Sequence, residues 1–384
     1  MPRSVAIVVH GRFHAFDLAR GLLECGCQVH LITSFSAAEV NAEPGLEAVK
    51  VYSLRWHRWA ARIAGRLFPS GPPVWVERVL HAGFGCHAAA RLRRIAGVEL
   101  VYAFAGVAAE SLRLPHLRSI LARGSTHIRM QHQLLADLER RVGTRVEKPS
   151  TWRIAREEYE YQHCDRIRVL SRFCAESFVA MGVPEARLLH LPSTVALERF
   201  QPEARAIAER RARSEQGLPL RVLYVGSVCA RKGEWCLRQV CAAIAEEMEL
   251  RVIGEQLAAP IGPDWSMRVQ RLPRVAEAEL PQHYAWADVF LFPSIEEGLP
   301  AVLLQAALSG LYLCTTANAG GADVLIDGGG ELIAVDAVAD FVAALRRAAA
   351  ERASIHASAE RNRLAQQQRS RREVAQALLQ AVAA

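Results

Sequence analysis

The chain has 384 residues, 51% of them hydrophobic, which is ample for two domains with separate cores and strains a one-domain arrangement. Its formal net charge of +7 suits anionic ligands or surfaces (a nucleotide diphosphate, a lipid-linked phosphate, nucleic acid) without choosing among them. Nine scattered Cys, with no C-x-x-C and no zinc-type spacing, point to reduced, mostly buried thiols in a cytosolic setting; the apolar start is too short for a secretory signal, and no run is long enough to span a membrane.

Residues 5–9 form a short β-type run that ends in His10, Gly11, Arg12, Phe13 and His14; 15–23 is helical and 28–33 a second strand. A doubly wound α/β domain opens this way, and its first loop lies at the carboxyl edge of the sheet, where ligands bind. The loop is not a G-x-G-x-x-G, which argues against a dehydrogenase. His10 and His14 are candidates to touch a donor or an acceptor, with a capped surface histidine as the plain alternative.

The most basic aromatic segment is 55–68, RWHRWAARIAGRLF. Arg55, Arg58, Arg62 and Arg66 fall at helical spacing beside an apolar stripe of Trp56, Trp59, Ile63 and Leu67. The pattern suits a helix in a membrane interface, and equally a helix that packs its Trp inward and solvates its Arg face. No RNA-type aromatic motif accompanies it, so nucleic acid is not expected as a partner.

Strands are expected at 100–103 and 119–121, the second running into RGSTHI at 123–128, with Gln131 and His132 just beyond. An amphipathic helix at 152–163 and a strand at 166–170 follow, and Ser171 can cap the next helix. The segment 188–202, LLHLPSTVALERFQP, leads to an Arg- and Ala-rich helix or linker at 204–216.

The second half opens with a buried strand at 221–225, then a loop from Gly226 and Ser227 to Arg231, Lys232 and Gly233, then a helix from Glu234. A glycine-hinged basic loop between strand and helix suits a diphosphate, because backbone and two cations converge on one spot; a solvated basic turn is the alternative. Strands at 250–253 and 269–275 lead to 287–310, ADVFLFPSIEEGLPAVLLQAALSG, around which the chain is organised. There a strand at 289–292 breaks at a polar loop, and apolar residues at helical spacing resume at 301–308. Pro300 suits the first helical position, and the loop brings Glu296, Glu297 and Gly298 to the positive helix end, a seat for phosphate. Gln305 lies roughly 7 to 8 Å further along, at about 1.5 Å per residue, so a diphosphate at the tip and a ribose beside Gln305 fit the span. An ordinary βα unit with a solvated acidic loop is the plain alternative. A strand at 311–315, a turn at 320–323 and helices from 338 onward complete the alternation.

E-E-G-L-P, with a polar residue eight places after Glu297, resembles the donor-site signature of the retaining glycosyltransferases of family 4 (glycosyl transferases group 1), where Glu is usual at the position of Gln305. That family has the GT-B fold, two Rossmann-like doubly wound domains facing across a cleft. RGSTHI resembles a string of one branch of the family. In the 226–233 loop Gly226, Lys232 and Gly233 match, while Ser227 replaces the usual Arg and Arg231 can supply the missing charge. At the crossover between domains Pro192, Val195 and Phe200 match, whereas Thr194 and Ala196 replace Gly and Asp. Gly11 matches a glycine that faces the cleft.

The resemblance implies an acceptor-side domain at 1–203, a nucleotide-sugar domain at 204–366, and a final segment, 367–384, whose helix can cross back to the first domain. It implies a metal-independent, retaining hexosyltransferase that moves a sugar from a nucleotide-diphosphate donor to an acceptor hydroxyl. The acceptor would be a glycan or a lipid-linked sugar in cell-surface glycan or glycolipid synthesis, with the protein cytoplasmic or at the inner membrane face and in peripheral contact through 55–68. No cofactor beyond the donor is implied, and no D-x-D pair hints at a metal.

The implied donor-binding set is Gly11, Gly226, Ser227, Arg231, Lys232, Glu297, Gly298, Leu299, Pro300 and Gln305, with 269–273 near the base. Lys232 would neutralise the departing diphosphate, Glu297 would orient the sugar and His127 would serve the acceptor side; His10, His14 and His132 are further acceptor-side candidates. Two other readings stay open: another GT-B enzyme, such as a sugar-nucleotide epimerase or a phosphorylase, and a non-catalytic nucleotide-binding subunit.

Overall fold

The computed structural model describes residues 2–68, 71–115, 117–192, 197–257, 259–366 and 370–382. Thr194, Val195 and Ala196 of the expected crossover lie outside them.

Strands β1 (Ser4–Val9), β2 (Gln28–Thr33), β3 (Lys50–Ser53), β4 (Leu100–Phe104), β5 (Arg118–Ala122), β6 (Arg166–Val169) and β7 (Leu188–His190) form one sheet in the order β3-β2-β1-β4-β5-β6-β7. Strands β8 (Arg221–Val225), β9 (Glu249–Ile253), β10 (Val269–Leu272), β11 (Val289–Phe292), β12 (Tyr312–Thr315) and β13 (Gly330–Leu332) form the other, in the order β10-β9-β8-β11-β12-β13. Every pairing is parallel. Helices cover both faces of such sheets, so central strands are apolar throughout: every residue of β1 and β11 is buried. These are the two Rossmann-like domains expected above. Each strand order reverses once, between β1 and β4 and between β8 and β11, and the loops after those strands open a crevice at each carboxyl edge.

The helix Arg371–Ala381 returns to the first domain. It buries Val374, Ala375, Leu378 and Leu379 in the first core, and Arg371 pairs with Glu24 at 2.6 Å. Ser370 and Glu373 close a capping box at its start. The domains also touch directly: Leu135, Leu138 and Val146 pack with Ala230, Ile261 and Ile295, and Arg141 reaches Asp336 at 2.6 Å.

Two local outcomes differ from the sequence pattern. Pro300 has ψ 134°, so it stands before the helix Ala301–Leu308 as its cap instead of inside the first turn. The helix Val74–Leu92 was not anticipated, because glycines and histidines interrupt its apolar period; tertiary burial of Val76, Phe84, Ala88 and Leu92 holds it. Among the described residues no helix is long and apolar enough to cross a membrane.

Candidate active site

The reversal point of the second sheet brings two loops into contact. Gly233, at φ +74°, ends the turn after β8, and a Cβ there would lie 1.9 Å from the Pro293 carbonyl oxygen, so only glycine allows the approach. The Ile295 N–H donates to the Arg231 carbonyl at 3.0 Å, Thr316 Oγ1 to the Ser294 carbonyl at 2.6 Å and Asn318 Nδ2 to the Ile295 carbonyl at 2.9 Å. Held in this way, Glu297 Oε1 lies 2.9 Å from Arg231 Nη1 and 3.0 Å from Lys232 Nζ. These two ion contacts hold the buried carboxylate oxygen between the cations. Burial pushes the Glu297 carboxyl up, but Arg231 and then Lys232 outweigh it and hold it below its ordinary value. The Lys232 ammonium also sits 5.5 Å from the Phe292 ring centroid.

Glu296, next to it, turns the other way. Its carboxylate is fully buried and accepts from Ser125 Oγ, from the Thr126 N–H and Oγ1, both at 2.8 Å, and from Gln131 Nε2 at 2.9 Å. Those donors belong to the first domain, so one side chain receives four hydrogen bonds across the interface, each strengthened by its charge. Arg231 Nη1 donates to the Glu296 carbonyl at 3.0 Å, which joins this clamp to the cation pair. Gly298 completes the contact: a Cβ there would lie 2.3 Å from the Gly124 carbonyl oxygen. E-E-G is thus divided among the domain interface, the cations and the clearance between backbones. Sequence reasoning singled out RGSTHI and EEG separately and missed that Glu296 joins them. The signal was two conspicuous polar strings, each at the end of a strand.

The remaining predicted residues are distributed as follows. Gly226, Ser227, Arg231, Lys232, Glu297, Gly298, Leu299 and Pro300 lie on the two loops of the second crevice, where the Ser227 carbonyl accepts from Tyr224 Oη at 2.9 Å. Gln305 is buried and its amide oxygen accepts from Tyr284 Oη at 3.0 Å. His127 is 3% exposed and caps the helix Ile128–Val142, its Nδ1 accepting from the Arg129 N–H at 3.2 Å. Its ring packs on Tyr161 and Phe178, and burial lowers its pKa to about 4. His132 Nδ1 lies 2.8 Å from the Pro149 carbonyl.

His10, Gly11 and His14 lie at the crevice of the first sheet. His14 Nε2 is 2.7 Å from Tyr102 Oη, and burial followed by Arg168 holds it well below the usual histidine range. His10 is lowered to about 4 by burial, then by His57 and Arg153. Its Nδ1 is buried without a hydrogen-bond partner among the described residues. Among the described residues no group of three His, Cys, Asp or Glu is placed to hold a metal ion.

The helix Arg55–Leu67 buries His57 and Ala64 and turns its aromatic stripe outward: Trp59 is 65% and Leu67 67% exposed, with Trp56 and Ile63 also in solvent. Trp75 and Val79 of Val74–Leu92 are exposed as well. The alternative in which the Trp residues pack inward does not hold. Arg58 pairs with Glu39 at 2.7 Å, whereas Arg55, Arg62 and Arg66 have no ion partner among the described residues.

Residues 219–351 match the family model described as glycosyl transferases group 1, and residues 12–199 the model described as Glycosyltransferase Family 4. Over 214 residues the chain is 31% identical to a GDP-mannose-dependent alpha-(1-6)-phosphatidylinositol monomannoside mannosyltransferase of Mycolicibacterium smegmatis, covering 48% of this chain and 55% of that protein. Over 243 residues it is 30% identical to a D-inositol 3-phosphate glycosyltransferase of Geodermatophilus obscurus, covering 58% of this chain and 53% of that one. The chain thus spans about half the length of the curated relatives it matches. A crystal structure of HepE from Anabaena in complex with UDP and glucose superposes over 100% of both chains with a TM-score of 0.68 at 12% identity, a likeness of fold.

Proposed function

Because the chain belongs to the glycosyltransferases whose group 1 and family 4 models match its two halves, we propose that it transfers a sugar from a nucleotide-diphosphate donor to an acceptor hydroxyl with retention of anomeric configuration. The observation that carries this reading is the meeting of Arg231, Lys232 and Glu297 at 2.9 and 3.0 Å in the crevice of the second sheet. When the bond to the sugar breaks, negative charge builds on the diphosphate, and fixed positive charge must already be in place. Arg231 and Lys232 supply it, aided by the N-terminus of Ala301–Leu308. The incoming diphosphate takes over these cations from Glu297, and the released carboxylate accepts hydrogen bonds from the donor sugar. With its oxygen held by Tyr284, Gln305 offers its amide nitrogen to the ribose. The acceptor enters from the first domain, whose loop 123–131 is tied to the donor loop by Glu296. His127 contributes by fixing the start of the Ile128–Val142 helix. No metal and no further cofactor take part.

The mannosyltransferase and inositol relatives are named for phosphoinositol-containing acceptors. A lipid-linked acceptor at an anionic membrane face suits the exposed Trp56, Trp59, Ile63 and Leu67 flanked by Arg55, Arg62 and Arg66, which have no ion partner among the described residues. The test is a thermal-shift panel of UDP, GDP, ADP and their sugars, followed by donor consumption in wild type and Lys232→Ala. One nucleotide series should stabilise the protein and turnover should collapse in the variant; undiminished turnover refutes the reading, and tight nucleotide binding without turnover on any acceptor points to a non-catalytic subunit.

A further inference from the structure

We propose that the crevice of the first sheet is an oxyanion subsite in which His10, His81 and Arg153 hold a phosphate carried by the acceptor, with Phe13 as the platform for its ring. The inference rests on the transfer reading above and names the acceptor's chemical class. Residues from four separate elements converge there. His10 follows β1, His57 lies on Arg55–Leu67, His81 on Val74–Leu92 and Arg153 in the first turn of Thr151–His163. The His10 ring centroid is 6.0 Å from that of His57 and 6.1 Å from that of His81. A Cβ on Gly106, after β4, would lie 3.3 Å from His81 Nδ1 and 3.5 Å from Arg153 Nη2, so these two groups border one point of the crevice.

The polar atoms here have an unmet demand. His10 Nδ1 is buried without a hydrogen-bond partner among the described residues, an arrangement that is costly unless a ligand relieves it. His81 has ring contacts with His10 and Trp152 but, among the described residues, no hydrogen bond. His57 forms the back wall, its Nε2 3.1 Å from the Leu80 carbonyl. Burial, then Arg153, His10, Arg156 and His57 hold the His81 imidazole well below its usual pKa. An anion reverses that repulsion, whereas a metal ion does not find a ligand set here.

Of the nearby carboxylates, Glu157 holds Arg153 through Nε, while Arg153 Nη2 borders the same point of the crevice as His81 Nδ1. Glu157 is 3.1 Å from Arg153 and 3.3 Å from Arg123 and accepts from Tyr161 Oη. Glu160 accepts the N–H groups of Gly106, Ala108 and Ala109, Glu110 pairs with Arg156, and Glu77 accepts from Ser150 Oγ. None of them is bonded to His10 or His81. The thirteen-residue helix that carries Arg153 adds its positive end.

Phe13 supplies an independent sign of a ligand. It has φ +37°, a left-handed conformation that costs a bulky residue energy, yet its ring is 62% exposed and stacks on Phe104 at 5.5 Å. Strain spent on holding an apolar face open beside an anion pocket suits a polyol ring bearing a phosphate. The back wall, His57, shares its helix with the exposed Trp59 and Ile63, so the phosphate can come from a lipid headgroup or from a soluble phosphorylated polyol.

The test uses the full chain labelled at histidine Cε1 and followed by NMR. Inorganic phosphate is titrated against sodium chloride at matched ionic strength, then phosphatidylinositol in phosphatidylcholine vesicles against phosphatidylcholine alone. His10 and His81 should move saturably with phosphate, exposed His190 should not, and His81→Gln or Arg153→Lys should raise the half-saturating concentration at least tenfold. Phosphatidylinositol vesicles that perturb the same two signals identify a lipid source; vesicles without effect, beside a saturable phosphate response, identify a soluble one. Movement that merely follows ionic strength, or His81→Gln leaving half-saturation within twofold, overturns the proposal. Nucleotide binding, measured in parallel, should be unchanged in His81→Gln. Its absence from wild type would defeat the transfer reading, not this site.

Discussion

At the end of β8, Arg231 and Lys232 are met by Glu297, and Glu296 next to it is satisfied by four donors of the other domain. At the end of β1, His10 and His81 meet other cations and no carboxylate. The same topological device therefore yields one crevice whose charges are already matched and one whose polar atoms lack partners. A matched buried pair holds its geometry before a ligand arrives, because removing either partner strands a charge in low dielectric. An unmatched imidazole cluster stays neutral instead and takes up charge with its ligand. The donor side would then act by exchanging partners and the acceptor side by acquiring one.

The sharpest way to break this comparison is Lys232→Ala. Donor consumption should fall on the order of a hundredfold to a thousandfold, as for loss of one preorganised charge-stabilising group, while the melting temperature falls but the chain stays folded, because Arg231 still pairs with Glu297 at 2.9 Å. Gly298→Ala tests whether the matched crevice depends on contact between domains. The added methyl meets the Gly124 carbonyl, and a displacement near 1 Å should cost transfer up to about a hundredfold while nucleotide affinity survives. Glu296→Gln removes the charge from the clamp and turns an amide donor toward donors. A loss of about 2 kcal/mol should appear as faster hydrogen exchange across 125–131, with exchange near Phe13 unaffected.

Acid titration probes the unmatched side. His10 and His127, at about 4 in the folded chain against an ordinary 6.5, stay neutral while the unfolded chain protonates, and His14 and His81 shift the same way. Their stabilisation is complete above pH 6.5 and is lost as pH falls toward 4. Glu160 runs opposite: burial, then Glu157, raises it to about 7, so the folded chain holds the proton more tightly, and this stabilisation, complete below about pH 4.5, is lost as pH rises through 7. Urea midpoints should fall on acidification below pH 6.5, less steeply in His81→Gln and more steeply in Glu160→Gln. The smallest effect on stability is expected from Trp59→Ser, within about 0.5 kcal/mol because the ring is in solvent, although vesicle co-sedimentation should weaken. Co-sedimentation unaffected by Trp59→Ala and Arg62→Glu would count against membrane contact.

Much of the fold could be read from local pattern. The runs that became β1, β2, β8 and β11 are continuous apolar segments closed by polar loops, and a buried parallel strand requires no more than that. The loops at 226–233 and 293–300 were legible for the same reason: glycine, charge and proline each act on the backbone within a few residues. The short strands β3, β7 and β13 were not, because none has a buried apolar run of its own and each forms by pairing with a neighbour, nor was the helix Val74–Leu92, whose burial comes from distant partners.

The sequence by itself determined the central strands of both sheets, which loops would stand at their carboxyl ends, and that one of those loops would carry paired cations. Only the tertiary structure decided where side chains point: Glu296 to a loop 170 residues earlier, His127 into its own helix cap, Trp59 outward, and His10, His57, His81 and Arg153 into one crevice. Backbone preference is set by near neighbours along the chain. The direction and charge state of a side chain are set by what the docked elements leave beside it.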